Sequence, residues 1–430
     1  MIKVCLVNLG CAKNTVDSQA ILGLFKDEKE FEITIDVEEA DVLILNTCAF
    51  IHDAETESFE TIEYLEKLGK KLVVVGCLVE KFHDDLIKKF PKVDLFVGFK
   101  DFIKLPKLIS KLINKDINVP YSIFNRKLEE DPISIYLKIS EGCNHNCGYC
   151  IIPLLRGKYY SYEYEGIINY AKEAAANGVK ELTVIAQDTT YYGKDFSDKK
   201  ITISTLLKEL DKIEGIEFIR CLYLYPDEVD FELIETIRDS KHIVPYFDLP
   251  IQHASDKMLG LMNRYDTYES LTNLVSTIRR EIPNAILRCT IIVGYPGETD
   301  EDFEKLKTFL ALNKFHHVGV FTFSNEKNTK AYDLPDHVAE EIKLQRKEEL
   351  MNFQKKISFK LNEEMVGKKF KAIVLEQQKT NRYLVRTAFN APDDVDGDIF
   401  MISDKQHNLG DIVEVEITDA FVYDLYSKEI

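Results

Sequence analysis

The chain has 430 residues, and its 55 Lys and Arg against 73 Asp and Glu leave a net charge of −18. Length suggests about three domains of roughly 150 residues, and a 45% apolar content excludes a disordered or fibrous chain. The acidic balance counts against a generic nucleic-acid binder, which needs Lys and Arg to neutralise phosphates, and favours a basic partner.

Residues 1–118 alternate short apolar, β-branched runs (Ile2 to Asn8, Val42 to Asn46, Leu72 to Gly76) with helical patterns (Asp17 to Phe25, Ala54 to Leu68, Phe102 to Ile113). Strands alternating with helices predict a doubly wound parallel sheet. Residues 119–132 read as a linker, with Pro120, Pro132 and the acidic run Glu129 to Asp131. Residues 133–335 hold six candidate strands: 135–139, 181–186, 218–224, 244–249, 286–293 and 317–323. Helical patterns separate them, such as Glu163 to Asn177, which Gly178 ends. Together they predict a partial (β/α)6 barrel with its chemistry on loops at the carboxyl ends of the strands. Residues 336–366 read as a long charged connecting helix opened by Pro335 and Asp336. After it, residues 367–430 carry four short strand patterns (370–376, 383–387, 399–402, 412–421), as in a small antiparallel β-barrel. The fold class is α/β throughout the first two regions.

No apolar run approaches the roughly 20 residues of a membrane span, and Met1 to Gly10 lacks the long apolar core of a secretory signal. The expectation is a cytoplasmic protein with no membrane contact and reduced thiols. Its nine cysteines therefore call for metal ligation before disulfides.

Cys143, Cys147 and Cys150 form C-x3-C-x2-C directly after the first barrel strand. Three thiolates so close in sequence can hold one face of an iron–sulfur cube and leave one iron open. Zinc is the alternative; it would need a fourth ligand, for which His145 has poor reach. Cys11, Cys48 and Cys77 are far apart in sequence, yet each stands just past a predicted strand end. In an open parallel sheet those ends share one edge, where ligands bind. Gly10 and Gly76 would let backbone approach closely there. Cys5, Cys221 and Cys289 lie within predicted strands and read as structural.

The C-x3-C-x2-C spacing resembles the signature of the radical S-adenosylmethionine (SAM) enzymes. With three N-terminal cysteines and a C-terminal barrel, the whole chain resembles a methylthiotransferase: an N-terminal cluster domain, a radical SAM barrel and a TRAM domain. The stretch Leu9-Gly10-Cys11-Ala12-Lys13-Asn14 is similar to the RimO type rather than the tRNA-modifying MiaB type. So are the stretches Ile151 to Lys158 and Gln187 to Asp195. One departure is that Tyr162 stands after Ser161 where the family often has Arg.

The resemblance implies two 4Fe–4S clusters, on Cys11/Cys48/Cys77 and on Cys143/Cys147/Cys150. It implies SAM as radical source and methyl donor, and catalysis by the clusters with no further catalytic side chain. The reaction implied is insertion of a methylthio group at the β-carbon of an aspartate in ribosomal protein S-twelve, with the small ribosomal subunit as its setting. A low-potential donor such as flavodoxin or ferredoxin would supply electrons. Candidate SAM contacts are Tyr149, Gln187, Asp188, Arg220, Gln252 and Gly294, all near predicted carboxyl strand ends or the cysteine loop; Arg220 would bind a carboxylate, with a structural ion pair as the alternative, and His316 and His317 read as structural. Residues 361–430 carry a net charge of −6, which suits a basic protein substrate better than tRNA. The rival readings are a tRNA adenosine methylthiotransferase and a non-catalytic iron–sulfur electron carrier.

Overall fold

Parallel pairing organises the first hundred residues of the computed structural model, which describes residues 1–130, 132–392 and 396–430. Asp131 of the expected linker therefore lies outside the described residues. The elements run β1 (Ile2–Asn8), α1 (Ala12–Leu22), β2 (Phe31–Ile33), β3 (Val42–Thr47), α2 (His52–Lys67), β4 (Lys71–Gly76), α3 (Cys77–Lys89), β5 (Leu95–Val97) and α4 (Leu105–Ile113). The sheet order is β2-β1-β3-β4-β5, and every pairing is parallel. Alternate residues of one strand feed opposite faces. Leu43, Leu45, Leu72 and Val74 pack with Ile62, Leu65 and Leu78 on one side. Val42, Ile44, Val73 and Val75 pack with Ile21, Leu24 and Leu105 on the other. Burial on both faces is what makes these strands continuous apolar runs.

The structure adds the two edge strands β2 and β5 and the helix α3 to the elements expected. Each edge strand has only three residues, too short to show a period. Helix α1 begins earlier than expected, with Cys11 at its N-cap. The linker is anchored up to residue 126. Asn125 Nδ2 donates to Gly23 O at 3.0 Å, and Arg126 Nε donates to Gln19 Oε1 at 3.1 Å.

The chain continues through β6 (Ser134–Lys138), β7 (Ser140–Glu141), α5 (Ile152–Arg156), β8 (Tyr160–Ser161), α6 (Tyr164–Ala176), β9 (Glu181–Ile185), α7 (Ile203–Leu210), β10 (Phe218–Cys221) and α8 (Phe231–Asp239). Then come β11 (Tyr246–Gln252), α9 (Asp256–Leu261), α10 (Tyr268–Glu281), β12 (Ile286–Val293), α11 (Asp300–Asn313), β13 (His317–Thr322) and α12 (Glu340–Glu363). The chain separates into two compact units: Met1–Glu130 with Tyr136–His145 and Cys150–Ile167, and the remainder, dominated by Ile168–Ile430.

In the second unit β9 and β10 pair in parallel, as do β11, β12 and β13. An isolated parallel bridge, Ile219 to Ile243, joins the two sets. This is the parallel βα repeat expected of a partial barrel. Strand β10 stops at Cys221, short of the expected Leu224, because Tyr223 turns into the left-handed region at φ +61°. Helix α12 starts at Glu340 rather than 336, since Asp336 has φ +60° and Ala339 is the N-cap. Its buried face includes Leu350, Gln354, Ser358 and Leu361.

The last module is a closed barrel of β14 (Lys369–Lys379), β15 (Arg382–Arg386), β16 (Ile399–Ile402), β17 (Ile412–Ala420) and β18 (Leu425–Glu429), in the order β14-β15-β16-β18-β17. It corrects the expected four antiparallel strands in two ways. There is a fifth strand, β18, whose sequence Leu-Tyr-Ser-Lys-Glu carries little apolar signal. The β16–β18 pairing is parallel. Among the described residues, no helix is long and apolar enough to cross a membrane.

Candidate functional site

The sheet order places β1, β3 and β4 side by side, so Cys11, Cys48 and Cys77 follow the carboxyl ends of three neighbouring strands. The strand order reverses beside β1, and an open α/β sheet forms its binding crevice at such a point. The turns that carry the thiols are tied together. Asn14 Nδ2 donates to Leu9 O at 2.8 Å and to Thr47 O at 3.1 Å. Thr47 Oγ1 donates to Val75 O at 2.6 Å and accepts from Leu78 N at 3.2 Å. Ser58 Oγ accepts from Cys48 N at 3.1 Å.

Glycine is required at Gly10. At φ +97° a Cβ there would lie 2.9 Å from Cys48 Cβ and 3.1 Å from its Sγ. Gly76, at φ +100°, would bring a Cβ within 2.7 Å of Thr47 O. Cys11 is exposed, whereas Cys48 and Cys77 are buried. Burial pushes the Cys77 thiol up to about 12, against the opposing pull of the Arg156 guanidinium, which also hydrogen-bonds it. Burial likewise raises Cys48. Buried thiols of this kind stay neutral unless a cation stands beside them.

Behind the thiols lies a buried charge network that the sequence did not reveal. Arg156 donates to Asp17 Oδ2 at 2.6 Å, to Glu141 Oε2 at 3.1 Å and to Asn14 Oδ1 at 2.7 Å. Lys138 Nζ donates to Asp17 Oδ1 at 2.7 Å and to Glu141 Oε2 at 2.5 Å. The guanidinium also lies 3.4 Å from the Phe99 ring centre. Two cations against two carboxylates make the set neutral, and Asn14 links it to the cysteine turns.

The C-x3-C-x2-C loop is braced along its length. Cys143 N donates to Gly157 O at 3.2 Å, and Asn144 Oδ1 accepts from Tyr159 N at 3.1 Å. In the second unit, Gly148 N donates to Met262 O at 2.8 Å, and Gly148 O accepts from Ala331 N at 2.8 Å. Cys147 Sγ lies 3.5 Å from Tyr225 Oη. The Arg264 guanidinium is 3.8 Å from the Tyr225 ring centre, and its Nη2 donates to Asp266 Oδ2 at 2.9 Å and to Pro250 O at 3.1 Å. Arg264 also feels the Tyr149 phenol and the Cys147 thiol. Burial raises the Tyr225 phenol, so it keeps its proton. Among the described residues, no three His, Cys, Asp or Glu side chains converge closely enough to hold a single metal ion. A cube spreads its thiolates over separate irons and asks for a wider spacing.

Gln187, Asp188, Gln252 and Gly294 fall at carboxyl strand ends of the second unit. Asp188 Oδ1 accepts from Thr190 Oγ1 at 2.6 Å and from Tyr191 N at 3.2 Å. Thr190 Oγ1 in turn accepts from Tyr225 N at 3.2 Å, which ties this loop to the wall beside Cys147. Gln252, the last residue of β11, has φ +67°, and its buried Oε1 has no protein donor among the described residues. His253 Nδ1 accepts from Ala254 N and Ser255 N, both at 2.9 Å, so the ring proton sits on Nε2, 3.4 Å from Glu298 Oε1. Gly294 N donates to the other oxygen of Glu298.

Arg220 is placed elsewhere. It sits in the body of β10, fully buried, 3.4 Å from Glu181, and donates to Thr387 O at 2.8 Å. The expected SAM contact at Arg220 is thereby corrected: the alternative, an internal ion pair, holds, and it meets the C-terminal barrel. Arg156, Arg264, Tyr225 and Glu298 were the residues missed as part of the site. A buried charged residue has no signature in a single sequence.

Three family models match the chain: Uncharacterized protein family UPF0004 over residues 3–98, Radical SAM superfamily over 137–310 and TRAM domain over 366–430. Relatives described as "Ribosomal protein uS12 methylthiotransferase RimO" match at full length. The protein from Clostridioides difficile (strain 630) is 44% identical over 99% of this chain and 98% of its own. That from Aquifex aeolicus (strain VF5) is 42% identical over 99% and 97%. Among solved structures, the radical SAM methyltransferase TsrM from Kitasatospora setae, with cobalamin and a 4Fe–4S cluster bound, superposes with a TM-score of 0.57 at 15% identity, covering 77% of each chain. The cobalamin-dependent enzyme OxsB reaches 0.52 at 11% identity over 83% of this chain and 56% of its own. At these identities the structural matches speak for the fold.

Proposed function

The chain belongs to the RimO family of ribosomal protein uS12 methylthiotransferases, and from that membership we propose the reaction it carries out and the residues that serve it. It is a radical SAM methylthiotransferase acting on ribosomal protein uS12, and the atom modified is the β-carbon of an aspartate. One observation carries the site assignment: three thiols from distant sequence meet at neighbouring strand ends, in a chain that also bears C-x3-C-x2-C.

The residues fit the implied cofactors. Cys11, Cys48 and Cys77 would hold one 4Fe–4S cluster; Gly10 leaves no side chain against Cys48, and Gly76 leaves none against the Thr47 backbone that precedes Cys48. Cys143, Cys147 and Cys150 would hold the other. The Gln252 Oε1 that lacks a protein donor among the described residues would accept a hydrogen bond from an amino group of SAM. Bound clusters and SAM supply the one-electron cleavage, hydrogen abstraction and sulfur transfer that side chains cannot perform.

The chain's own residues prepare that chemistry. Arg156 places a permanent positive charge beside Cys77 and favours its thiolate. The Tyr225 hydroxyl, 3.5 Å from the Cys147 sulfur, would donate to its thiolate, and the Arg264 guanidinium lies against the Tyr225 ring. Glu298 takes the Gly294 N–H and the His253 ring proton, which fixes the loop after β12. Gln187 and Asp188 would line the SAM pocket from the loop after β9, and Tyr149 would offer its ring to the adenine.

The acidic C-terminal barrel suits a basic ribosomal protein. Modification on the small ribosomal subunit, electrons from a flavodoxin or ferredoxin and a cytoplasmic location complete the proposal. The test is anaerobic turnover with purified uS12. The mass of uS12 should rise by SCH3 less one hydrogen, about 46 Da, when both cubes, about eight irons, are loaded. Turnover on tRNA and none on uS12 would overturn it.

A further inference from the structure

A cavity in this acidic chain carries the opposite charge. A cavity of about 590 Å3 opens where the end of α10, the cap of α11 and the junction of α12 with β14 meet. Arg279, Lys314, Lys368 and Lys369 line it, and Glu364 is the sole acidic residue among its lining side chains. The lining therefore carries three net positive charges in a protein of net −18. None of the four cations has a carboxylate within salt-bridge distance among the described residues. Arg279 is oriented by a bond from its Nη2 to Lys314 O at 2.9 Å.

A second feature faces the same space. His316 is 7% exposed and lines the cavity. Its Nδ1 accepts from Leu287 N at 3.1 Å, so the neutral ring carries its proton on Nε2. No acceptor for that proton is found among the described residues. Burial, then the charges of His317, Arg279 and Lys368, hold its pKa down to about 3, so the ring stays a neutral donor. Helix-dipole compensation accounts for only part of the cluster. Cations do favour helix carboxyl ends, but of the four only Arg279 reaches a terminal carbonyl.

We propose that this cleft binds phosphate oxyanions, and specifically the phosphodiester backbone of RNA. The cavity has room for more than one phosphate. Adjacent Lys368 and Lys369 repeat the charge along an exposed edge, as a polyanion requires. A chain of net −18 can approach RNA only through a local positive surface. The cleft lies at the amino ends of β12 and β13, whereas Gly294 follows the carboxyl end of β12, about 23 Å of strand away. The anion chemistry stands on the cleft alone. The choice of RNA rests on the reading that the substrate is a ribosomal protein, which lies against RNA.

The test compares the full-length protein with the variant Lys314→Gln/Lys368→Gln/Lys369→Gln, using a fluorescent 20-nucleotide single-stranded RNA and a salt series. Three to four neutralised phosphates give a slope of log K on log salt of about −2 to −3. The triple variant should lose about 2 from that slope and bind at least about tenfold more weakly at low salt. Equal affinity and slope in the two proteins, or no binding of RNA or inorganic phosphate, overturns the proposal. Inorganic phosphate binding that the variant loses, without RNA binding, keeps the phosphate class and overturns the RNA source. Methylthiolation of isolated uS12 is read separately. Its absence in the wild-type protein refutes the uS12 reading and leaves the RNA comparison intact.

Discussion

Arg156 and Asp17 form a buried ion pair at 2.6 Å, with both side chains 2% exposed. The pair links the residue that ends α5, just after the C-x3-C-x2-C loop, to helix α1, which starts at Cys11. Lys138 and Glu141 complete the set, and no member has water to fall back on. Removing one partner of a buried pair costs about 3–5 kcal/mol, because it leaves an uncompensated charge. Arg156→Leu should therefore lower unfolding stability by about that amount. Chemical denaturation of the iron-free, reduced chain measures it, and a loss under 1 kcal/mol would contradict the account. Arg156→Lys keeps the charge and should recover part of the stability, but not the bond to Asn14.

Gly10 and Gly69 offer a matched comparison. Both have positive φ, +97° and +68°, but a Cβ at Gly69 meets nothing within 4 Å, whereas one at Gly10 presses on Cys48. Gly69→Ala should cost only the backbone strain, about 1 kcal/mol. Gly10→Ala should in addition displace the Cys48 thiol and drop reconstituted iron from about eight to about four per chain. Iron assay of the two variants decides this. Equal iron in both would detach Gly10 from the cluster.

These residues show what was readable in advance. The thiols at 11, 48 and 77 could be grouped from sequence, because parallel strands put all their carboxyl ends on one edge. Their adjacency could not: the order β2-β1-β3-β4-β5 depends on pairings that no local pattern encodes. Gln252 was placed by following a strand to its end, but its left-handed backbone was invisible. Arg220 was misread for a related reason. Its position before a strand end suggested a pocket, while its partners Glu181 and Thr387 lie 39 and 167 residues away. Strand β18 escaped because two of its five side chains are charged.

His316 makes a pH prediction with a definite sign. Its pKa is about 3 in the folded chain, chiefly through burial, against 6.5 when unfolded. Below pH 6.5 the unfolded chain binds a proton that the folded chain refuses. Stability conferred by the neutral ring is thus fully present above 6.5 and falls as pH drops toward 3, by at most about 1.4 kcal/mol per pH unit. His316→Gln retains an acceptor for the Leu287 N–H and removes the titration. Its unfolding free energy should fall less steeply than the wild type between pH 6.5 and 4.5. Parallel slopes would assign the acid sensitivity to other groups.

Tyr225 predicts an electrochemical effect. Its hydroxyl lies 3.5 Å from Cys147 Sγ, and its buried phenol stays protonated, so toward a thiolate it is the donor. Hydrogen bonds to cluster sulfurs favour the reduced, more negative state and so raise its potential. A bond to a charged group contributes about 1.5 kcal/mol, which for one electron is about 65 mV. Tyr225→Phe should assemble the Cys143/Cys147/Cys150 cluster with unchanged iron and lower its midpoint potential by about that amount. EPR-monitored redox titration in a Cys11→Ala background isolates this cluster from the other. SAM cleavage with a fixed weak reductant should slow in step, since fewer clusters are reduced at a given potential. An unshifted potential would reduce the Tyr225 hydroxyl to packing.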